Sequence, residues 1–317
     1  MPAVACALDA PKSADLAFVS HAHSDHMARH REVICTAVTA DLMQQRLPSR
    51  RRTVRTLPFG HTDSLSLDST ITLHPAGHIL GSAQALIEHP AHGRLLYTGD
   101  FKLRDSLTAE ACASPAADVL IMETTFGLPR YVFPPNEQVH REILEFCQTA
   151  IASDHVPILL GYSLGRSQEL LAVLRQADLP VMQHRAAVAL SQIYARHGVE
   201  FPEFRELDPA SARGHVVITP GHGRDLEVLR ERHRLRVAVV TGWAIDSSAR
   251  YRSRADAAFP LSDHAGYDDL LRFVEKVNPS RVYTVHGFAR EFAATLRRRG
   301  VEAWALGHDN QLELPIA

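Results

Sequence analysis

The sequence predicts an α/β protein in which a strand-rich region is interrupted by a parallel strand-and-helix unit and then resumed. Three observations carry this. The first third alternates short apolar runs with polar loops that follow their C-terminal ends. From about residue 136, apolar strands alternate with amphipathic helices in the order of a parallel sheet. The last stretch returns to a helix, a strand, a helix and a strand, each closed by a polar or glycine signal.

Taken in order, "LAFVS" (16–20) reads as a buried strand and "TITLHPA" as another. "QALIEH" and "RLLYTGD" flank a Pro/Gly turn and read as a hairpin, and "ADVLIMETTFG" is a strand ending in polar residues. No helix is predicted before residue 128. "LPRYVFPPNEQ", rich in proline and aromatics, marks a crossing between domains. A helix then starts near Asn136, followed by strand "VPILLGY", helix "GRSQELLAVLRQA", strand "LPVMQH", helix "AVALSQIYARHG", strand "GHVVITP", a short helix and strand "LRVAVVTGW". "SDHAGYDDLLRFVEKVNP" opens polar and becomes an amphipathic helix. "RVYTVHG", "AREFAATLRRRG" and "VEAWALG" complete the chain as strand, helix and strand.

Bulk properties exclude several classes. The chain has 317 residues and net charge −2, so no global field draws nucleic acid or membrane, and an anionic substrate must meet a local basic patch. Positive charge is almost all arginine, with lysine only at 12, 102 and 276, a bias that a GC-rich genome explains as readily as phosphate recognition. Cys6, Cys35, Cys112 and Cys147 form no CxxC pair, which argues against a zinc ribbon, a redox motif or a disulfide framework. There is no signal-peptide pattern and no run of about 18 apolar residues. The expected setting is soluble and cytoplasmic, away from membranes.

The chemistry is concentrated in "HAHSDH", which places His21, His23, Asp25 and His26 directly after an apolar strand. With 19 histidines a chance cluster is conceivable, but a polar loop has no folding reason to gather four metal-grade donors. A turn within the loop can send His21 and His23 to one ion and Asp25 and His26 to another. Imidazole and carboxylate suit zinc, and also manganese or iron. Further donors fall at strand ends: His78 in "HPAGHILGSA", Asp100 in "YTGD" and His286 in "TVHG". Each alone reads as a capped surface residue; together they supply what two ions need, with a carboxylate able to bridge.

At this point the chain resembles the metallo-β-lactamase superfamily, through the ordered motifs "HAHSDH", "AGH", "YTGD" and "VHG". Asp9 matches its first acidic motif, which orients ligands from behind. Glu123 in "METTFG", His264 in "SDHAGYDDLL" and His286 in "TVHG" resemble motifs A, B and C of the β-CASP nucleases. Among these, the compact length, "TGW" at 241–243 and "VHGFAREFAATLRRRG" are most like bacterial ligase-associated DNA exonucleases; the tryptophan expected soon after the acidic residue is absent. The resemblance implies an αββα metallo-β-lactamase sandwich with an inserted parallel-sheet β-CASP domain, divided as 1–130, 131–245 and 246–317. It implies a metal-dependent exodeoxyribonuclease acting in DNA repair through two divalent ions, zinc or manganese. DNA, as a single strand or strand end, is the implied substrate, with a functional link to a DNA ligase.

In that reading His21, His23 and His78 hold one ion, Asp25, His26 and His286 the other, and Asp100 lies between. His264 is the general acid and Glu123 orients it or holds the water network. Ser163, Gly165 and Arg166, at a helix start in "SLGRSQEL", are candidates for binding phosphate; ordinary capping is the alternative. Arg51 and Arg52 read as a solvated loop, and His222 as a possible substrate contact. Competing readings are an RNA-processing β-CASP ribonuclease, a small-molecule hydrolase, and a catalytically dead scaffold.

Overall fold

A computed structural model describes residues 5–49, 53–221 and 223–307, so Arg51, Arg52 and His222 lie outside the described residues. The chain opens with β1 (Ala7–Leu8), β2 (Leu16–Phe18), β3 (Glu32–Cys35), helix α1 (Ala37–Arg46) and β4 (Thr53–Thr56), whose strands form a parallel sheet in sequence order. Strands β5 (Thr62–Ser64), β6 (Thr70–Pro75), β7 (Ala83–His89) and β8 (Gly93–Tyr97) then form an antiparallel meander, joined in parallel by β9 (Val119–Glu123). The next stretch holds α2 (Asn136–Ala152), β10 (Val156–Leu160), α3 (Arg166–Arg175), β11 (Val181–Gln183), α4 (Arg185–Arg196) and β12 (Phe204–Glu206). It continues through β13 (Val216–Thr219), α5 (Arg224–Arg232), β14 (Leu235–Val240), α6 (Ser248–Arg252) and β15 (Ala257–Phe259). The chain returns with α7 (Tyr267–Val277), β16 (Arg281–Val285), α8 (Ala289–Arg298) and β17 (Glu302–Ala305).

Strands β16 and β17 extend the meander into a seven-stranded sheet, ordered β17-β16-β9-β8-β7-β6-β5. The alternation of side chains along each strand builds the layers. Ile34, Phe18, Ile71, Leu73, Ala85, Ile87 and Tyr97 point into the space between this sheet and the first one. Their neighbours point the other way. Val33 and Cys35 meet Leu42 and Met43 of α1, while Leu96, Leu120, Met122 and Val282 meet Phe273 of α7 and Phe292 of α8. The result is helix, sheet, sheet, helix: the αββα sandwich.

The six-stranded sheet β12-β11-β13-β10-β14-β15 is wholly parallel and covered on both sides. Leu159, Ile218 and Val240 pack under α2 and α3, and Ile158, Val217 and Val237 under α5. Burial on both faces is why "VPILL" and "VVIT" read as continuous apolar runs. Strand β15 adds to this sheet from beyond residue 245.

Helix α1 corrects the expectation of strands and loops alone before residue 128. Only Thr39, Leu42 and Met43 are fully buried on it, with Val38 and Ala40 packed beside them, so its apolar stripe is short and interrupted by polar residues. Its start is fixed by Thr36, whose hydroxyl accepts from the Thr39 N–H at 3.1 Å.

The seam between the two sheet units is polar and buried. Glu169 of α3 accepts from Ser106 Oγ (2.6 Å), Thr108 Oγ1 (2.9 Å) and Leu107 N–H (3.2 Å), and Lys102 Nζ stands 3.9 Å away. Burial alone would raise the Glu169 pKa, but Lys102 and these donors bring it below the usual value. Glu169→Ala strands a buried ammonium and is expected to cost about 3–5 kcal/mol in denaturant melts. A depressed carboxyl adds stability above its unfolded value of 4.5 and loses it as pH falls through the folded one. The gap between wild type and variant should therefore be full near neutrality and close in acid.

Candidate metal centre and cleft

Strands β6, β8, β9 and β16 run in one direction, so their C-terminal ends share one edge of the sandwich. His78, Asp100, Glu123 and His286 leave from those ends, and the 21–26 loop leaves from β2 to meet them. His286 sits at φ 59°, a left-handed conformation that costs an ordinary residue on the order of 1–3 kcal/mol and is held at functional sites by its surroundings.

One donor group is His21, His23, His78 and Asp100, all buried, with donor atoms within 4.8 Å of one another. His23 Nδ1 lies 3.0 Å from His21 Nε2 and 3.1 Å from His78 Nε2. Asp100 Oδ2 lies 3.5 Å from His21 Nε2 and 3.9 Å from His78 Nε2. Around the corner, His26 Nε2 is 3.2 Å from the same Asp100 oxygen and 3.7 Å from Asp25 Oδ2. His286 stacks loosely on His26, ring centres 5.5 Å apart, and lines the cleft with Asp25 and Asp100. The turn in "HAHSDH", closed by the His26 N–H donating to the His23 carbonyl, thus sends the loop's donors two ways. Asp100 stands between the two sets.

The outer nitrogen of each imidazole in the loop and of His78 is spoken for. His23 Nε2 donates to the Leu164 carbonyl (3.1 Å) and His78 Nδ1 to the Asp263 carbonyl (2.7 Å). His21 Nδ1 meets Ser20 Oγ at 2.9 Å, and that hydroxyl already donates to Asp9, so it accepts from the ring. His26 Nδ1 donates to Asp9 Oδ2 at 3.0 Å. These bonds fix the tautomers. Three bare nitrogen lone pairs then face one another and a carboxylate, with no proton among them.

Burial, and then the neighbouring imidazoles, hold His21 well below the usual histidine range, His23 at about 3 and His78 also low. Such neutral, oriented imidazoles beside an anion fit a divalent cation and little else. Burial also works against a charged His26, but Asp100 and Asp9 outweigh it and push its pKa up to about 11. The place its proton takes, between Nε2 and Asp100, is one a cation can hold.

Asp9 lies behind the cluster. Its carboxylate accepts from the Ser20 N–H (2.7 Å), Ser20 Oγ (2.6 Å), His26 Nδ1 (3.0 Å) and Tyr97 OH (2.9 Å). It orients two histidines without facing the cleft. Asp9→Ala is expected to weaken metal affinity about 10–100-fold while leaving every donor in place, measured by competition with a chelating dye.

His264 flanks the cluster. Its Nδ1 donates to Glu123 Oε1 at 2.9 Å, and Glu123 is itself pinned by the N–H groups of Phe101 (3.3 Å) and Thr125 (2.8 Å). Burial opposes a charge on His264, but Glu123 and Asp100 overcome it and raise its pKa to about 10. The arrangement favours the protonated form of an imidazole at the cleft wall.

The three candidates at and before the start of α3 fare differently. Arg166 lines the cleft, but its guanidinium is buried and committed to the Val240 carbonyl (3.0 Å) and Asp263 Oδ1 (2.5 Å). Ser163 and Gly165 do not line it. The Gly165 N–H is taken by Gln168 Oε1 at 2.7 Å, the residue sits at φ 90°, and a Cβ there would lie 2.5 Å from Ile79. Here the glycine allows α3 to seat against the His78 loop, as the capping alternative implies.

Sequence reasoning did not single out Asp263 or Tyr162. Asp263, next to His264, supplies the carbonyl for His78 and pairs with Arg166. Tyr162 is half-exposed beside His23, its hydroxyl accepting from Arg46 at 3.1 Å. Only contacts between units distant in sequence reveal either role. The cleft itself encloses about 740 Å³ between the cluster and the ends of β10 and β14. No described helix is long and apolar enough to cross a membrane.

The family described as a Zn-dependent metallo-hydrolase RNA specificity domain matches residues 254–306, the stretch that carries His264 and His286. A protein of Opitutus terrae named "Probable DNA ligase" is 57% identical over the whole of this chain, which spans 31% of that protein's length. "Probable RNase MJ4" of Methanocaldococcus jannaschii is 25% identical over 94% of this chain and 86% of its own length. "5' exonuclease Apollo" of Gallus gallus is 27% identical over 86% of this chain and 58% of its own length.

Proposed function

From the premise that the chain belongs to the β-CASP nucleases of the metallo-β-lactamase superfamily, we propose that it hydrolyses phosphodiester bonds of DNA strand ends through a two-ion centre. The observation that carries the reading is the convergence of His21, His23, His78 and Asp100, with bare nitrogens inward, beside the Glu123-bonded His264 on the wall of an open cleft. His21, His23 and His78 would hold one ion, Asp25, His26 and His286 the other, with Asp100 shared. When bound, divalent ions neutralise the scissile phosphate and lower the pKa of an attacking water.

The chain's own groups do the rest. Glu123 fixes the His264 tautomer, so that Nε2 is the atom that can deliver a proton to the departing sugar oxygen. Ser20, Asp9 and the Leu164 and Asp263 carbonyls keep the donor rings in register. The unit spanning 131–245, which we treat as the β-CASP insert, walls the cleft and leaves room for a strand. The relative named for DNA ligase supports a functional link to sealing, in which ends are trimmed before they are joined. Arg166, which lines the cleft, already bonds Asp263 and the Val240 carbonyl, and the Gly165 N–H bonds Gln168, so a phosphate at this turn would compete with those partners.

A second reading is RNA cleavage, favoured by the relative named as an RNase and by the family description matching residues 254–306. Purified protein on end-labelled single- and double-stranded DNA and RNA, with zinc or manganese, separates the two. We expect DNA shortened stepwise from an end, activity lost on chelation, and restored by either metal. Preferential turnover of matched RNA would replace the first reading with the second.

A further inference from the structure

Trp243 and the arginines beyond it have no part in holding metal. Its indole is 42% exposed and lines the same cleft as Asp25, His264 and His286. Behind it lie Phe126, Tyr131 and Phe133, all buried. Phe126 is 4.7 Å from the indole and Tyr131 5.5 Å, and Phe126 in turn touches His264 with ring centres 6.1 Å apart. The packing depends on Gly242: a Cβ there would stand 2.5 Å from the Phe126 ring. The indole is thus held by a buried aromatic wall, with its outer part open to the cleft.

A half-exposed tryptophan is commonly just the rim of a core. Two further features separate this one from that reading. First, the exposed part opens onto the cleft that holds the donor cluster. Second, the adjoining segment "SARYRSR" (248–254) exposes Arg250, Arg252 and Arg254 around Tyr251, which is 90% exposed, and Ser253 lines the cleft. In a chain of net charge −2, this is a local concentration of exposed cations and aromatic surface flanking Ser253, a residue of the cleft wall. Arg252 donates to the Ser248 hydroxyl and stands 3.8 Å from Asp246, both contacts on an exposed surface where an incoming phosphate can compete.

We propose that Trp243 is a base-stacking platform and that the Arg250, Arg252 and Arg254 rim takes the flanking phosphates, so that the cleft grips an unpaired nucleobase next to the bond it cuts. Every base has a π-face, so such a platform selects for an unpaired strand rather than for a sequence. The fixed ring loses little freedom on binding, because the aromatic wall has already immobilised it.

This rests on the nuclease reading, and binding is therefore measured apart from cleavage. The chain has two tryptophans, so Trp304→Phe leaves Trp243 as the single indole reporter. The probe is a single-stranded phosphorothioate oligonucleotide, which resists hydrolysis, alongside the same backbone with every base removed. Stacking should quench the indole with the intact strand and not with the abasic one. Stacking is worth about 1–3 kcal/mol per base, so Trp243→Leu should weaken binding of the intact strand roughly 5- to 150-fold and leave the abasic strand unchanged. Trp243→Phe should restore most of the loss. In turnover on an unmodified strand, Trp243→Leu should raise KM far more than it lowers kcat.

Equal binding of intact and abasic strands by the wild type, or equal losses for the leucine and phenylalanine variants, overturns the platform. If cleavage persists in that case, the nuclease reading stands without it. A protein that neither binds nor cuts any strand overturns both.

Discussion

Asp100→Ala is expected to abolish both metal binding and cleavage. Asp100 Oδ2 approaches His21, His26 and His78 together, at 3.5, 3.2 and 3.9 Å. Without it, neutral imidazoles remain with no negative charge between them, and the two donor sets lose their common member. Asp25→Ala should be less severe for metal. Asp25 is largely exposed and touches only His26 among the donors, so the His21, His23 and His78 group survives its loss.

Metal analysis after exhaustive dialysis should therefore give two equivalents for the wild type, one for Asp25→Ala and none for Asp100→Ala. Both variants should be inactive on end-labelled DNA. Two tightly held ions in Asp100→Ala would mean that the cluster described here is not the centre. Asp100→Asn, which keeps the volume, guards against a packing defect.

His264→Ala is expected to keep both metals and to lose about 10²–10⁴ in turnover, the usual contribution of a placed acid or base. The structural reason is separation of tasks. His264 packs on the His78 ring, centres 4.6 Å apart, but its Nδ1 is committed to Glu123 and it also lines the cleft. Glu123→Gln tests the coupling between the two. Glu123 is the main group raising the His264 pKa against the cost of burial, so its neutralisation lowers that pKa. A general acid works only while protonated, and activity falls as pH rises through its pKa. The alkaline limb of the kcat/KM profile should accordingly move to lower pH in Glu123→Gln, with metal content unchanged. A variant that loses activity equally at all pH values would make Glu123 a purely structural anchor.

Much of the candidate site is legible in the sequence as a set of donors that the fold brings together. "HAHSDH" after an apolar run, and single donors at the ends of later strands, are patterns that folding alone does not favour, and metal ligands must sit where loops converge. The strand-and-helix alternation from Asn136 to Val240 was equally plain, because strands buried on both faces become unbroken apolar runs and their helices carry one apolar stripe. Helix α1 is hard to read because its apolar face is short: Leu42 and Met43 are buried, and Val38 and Ala40 only partly so. Strands β12 and β15 are three residues long and partly exposed, too short for period-2 alternation to register.

Sequence by itself determined which residues could ligate, because ligation is a property of side-chain type and of position relative to strand ends. Tertiary structure decided what the remaining groups do. It spent Arg166 on Asp263 and Val240, gave Gly165 a steric duty against Ile79, put Asp9 behind His26, and set Trp243 at the mouth of the cleft. Those roles depend on contacts between segments far apart along the chain. No local pattern encodes such a contact, since the free energy that selects it belongs to the packed whole.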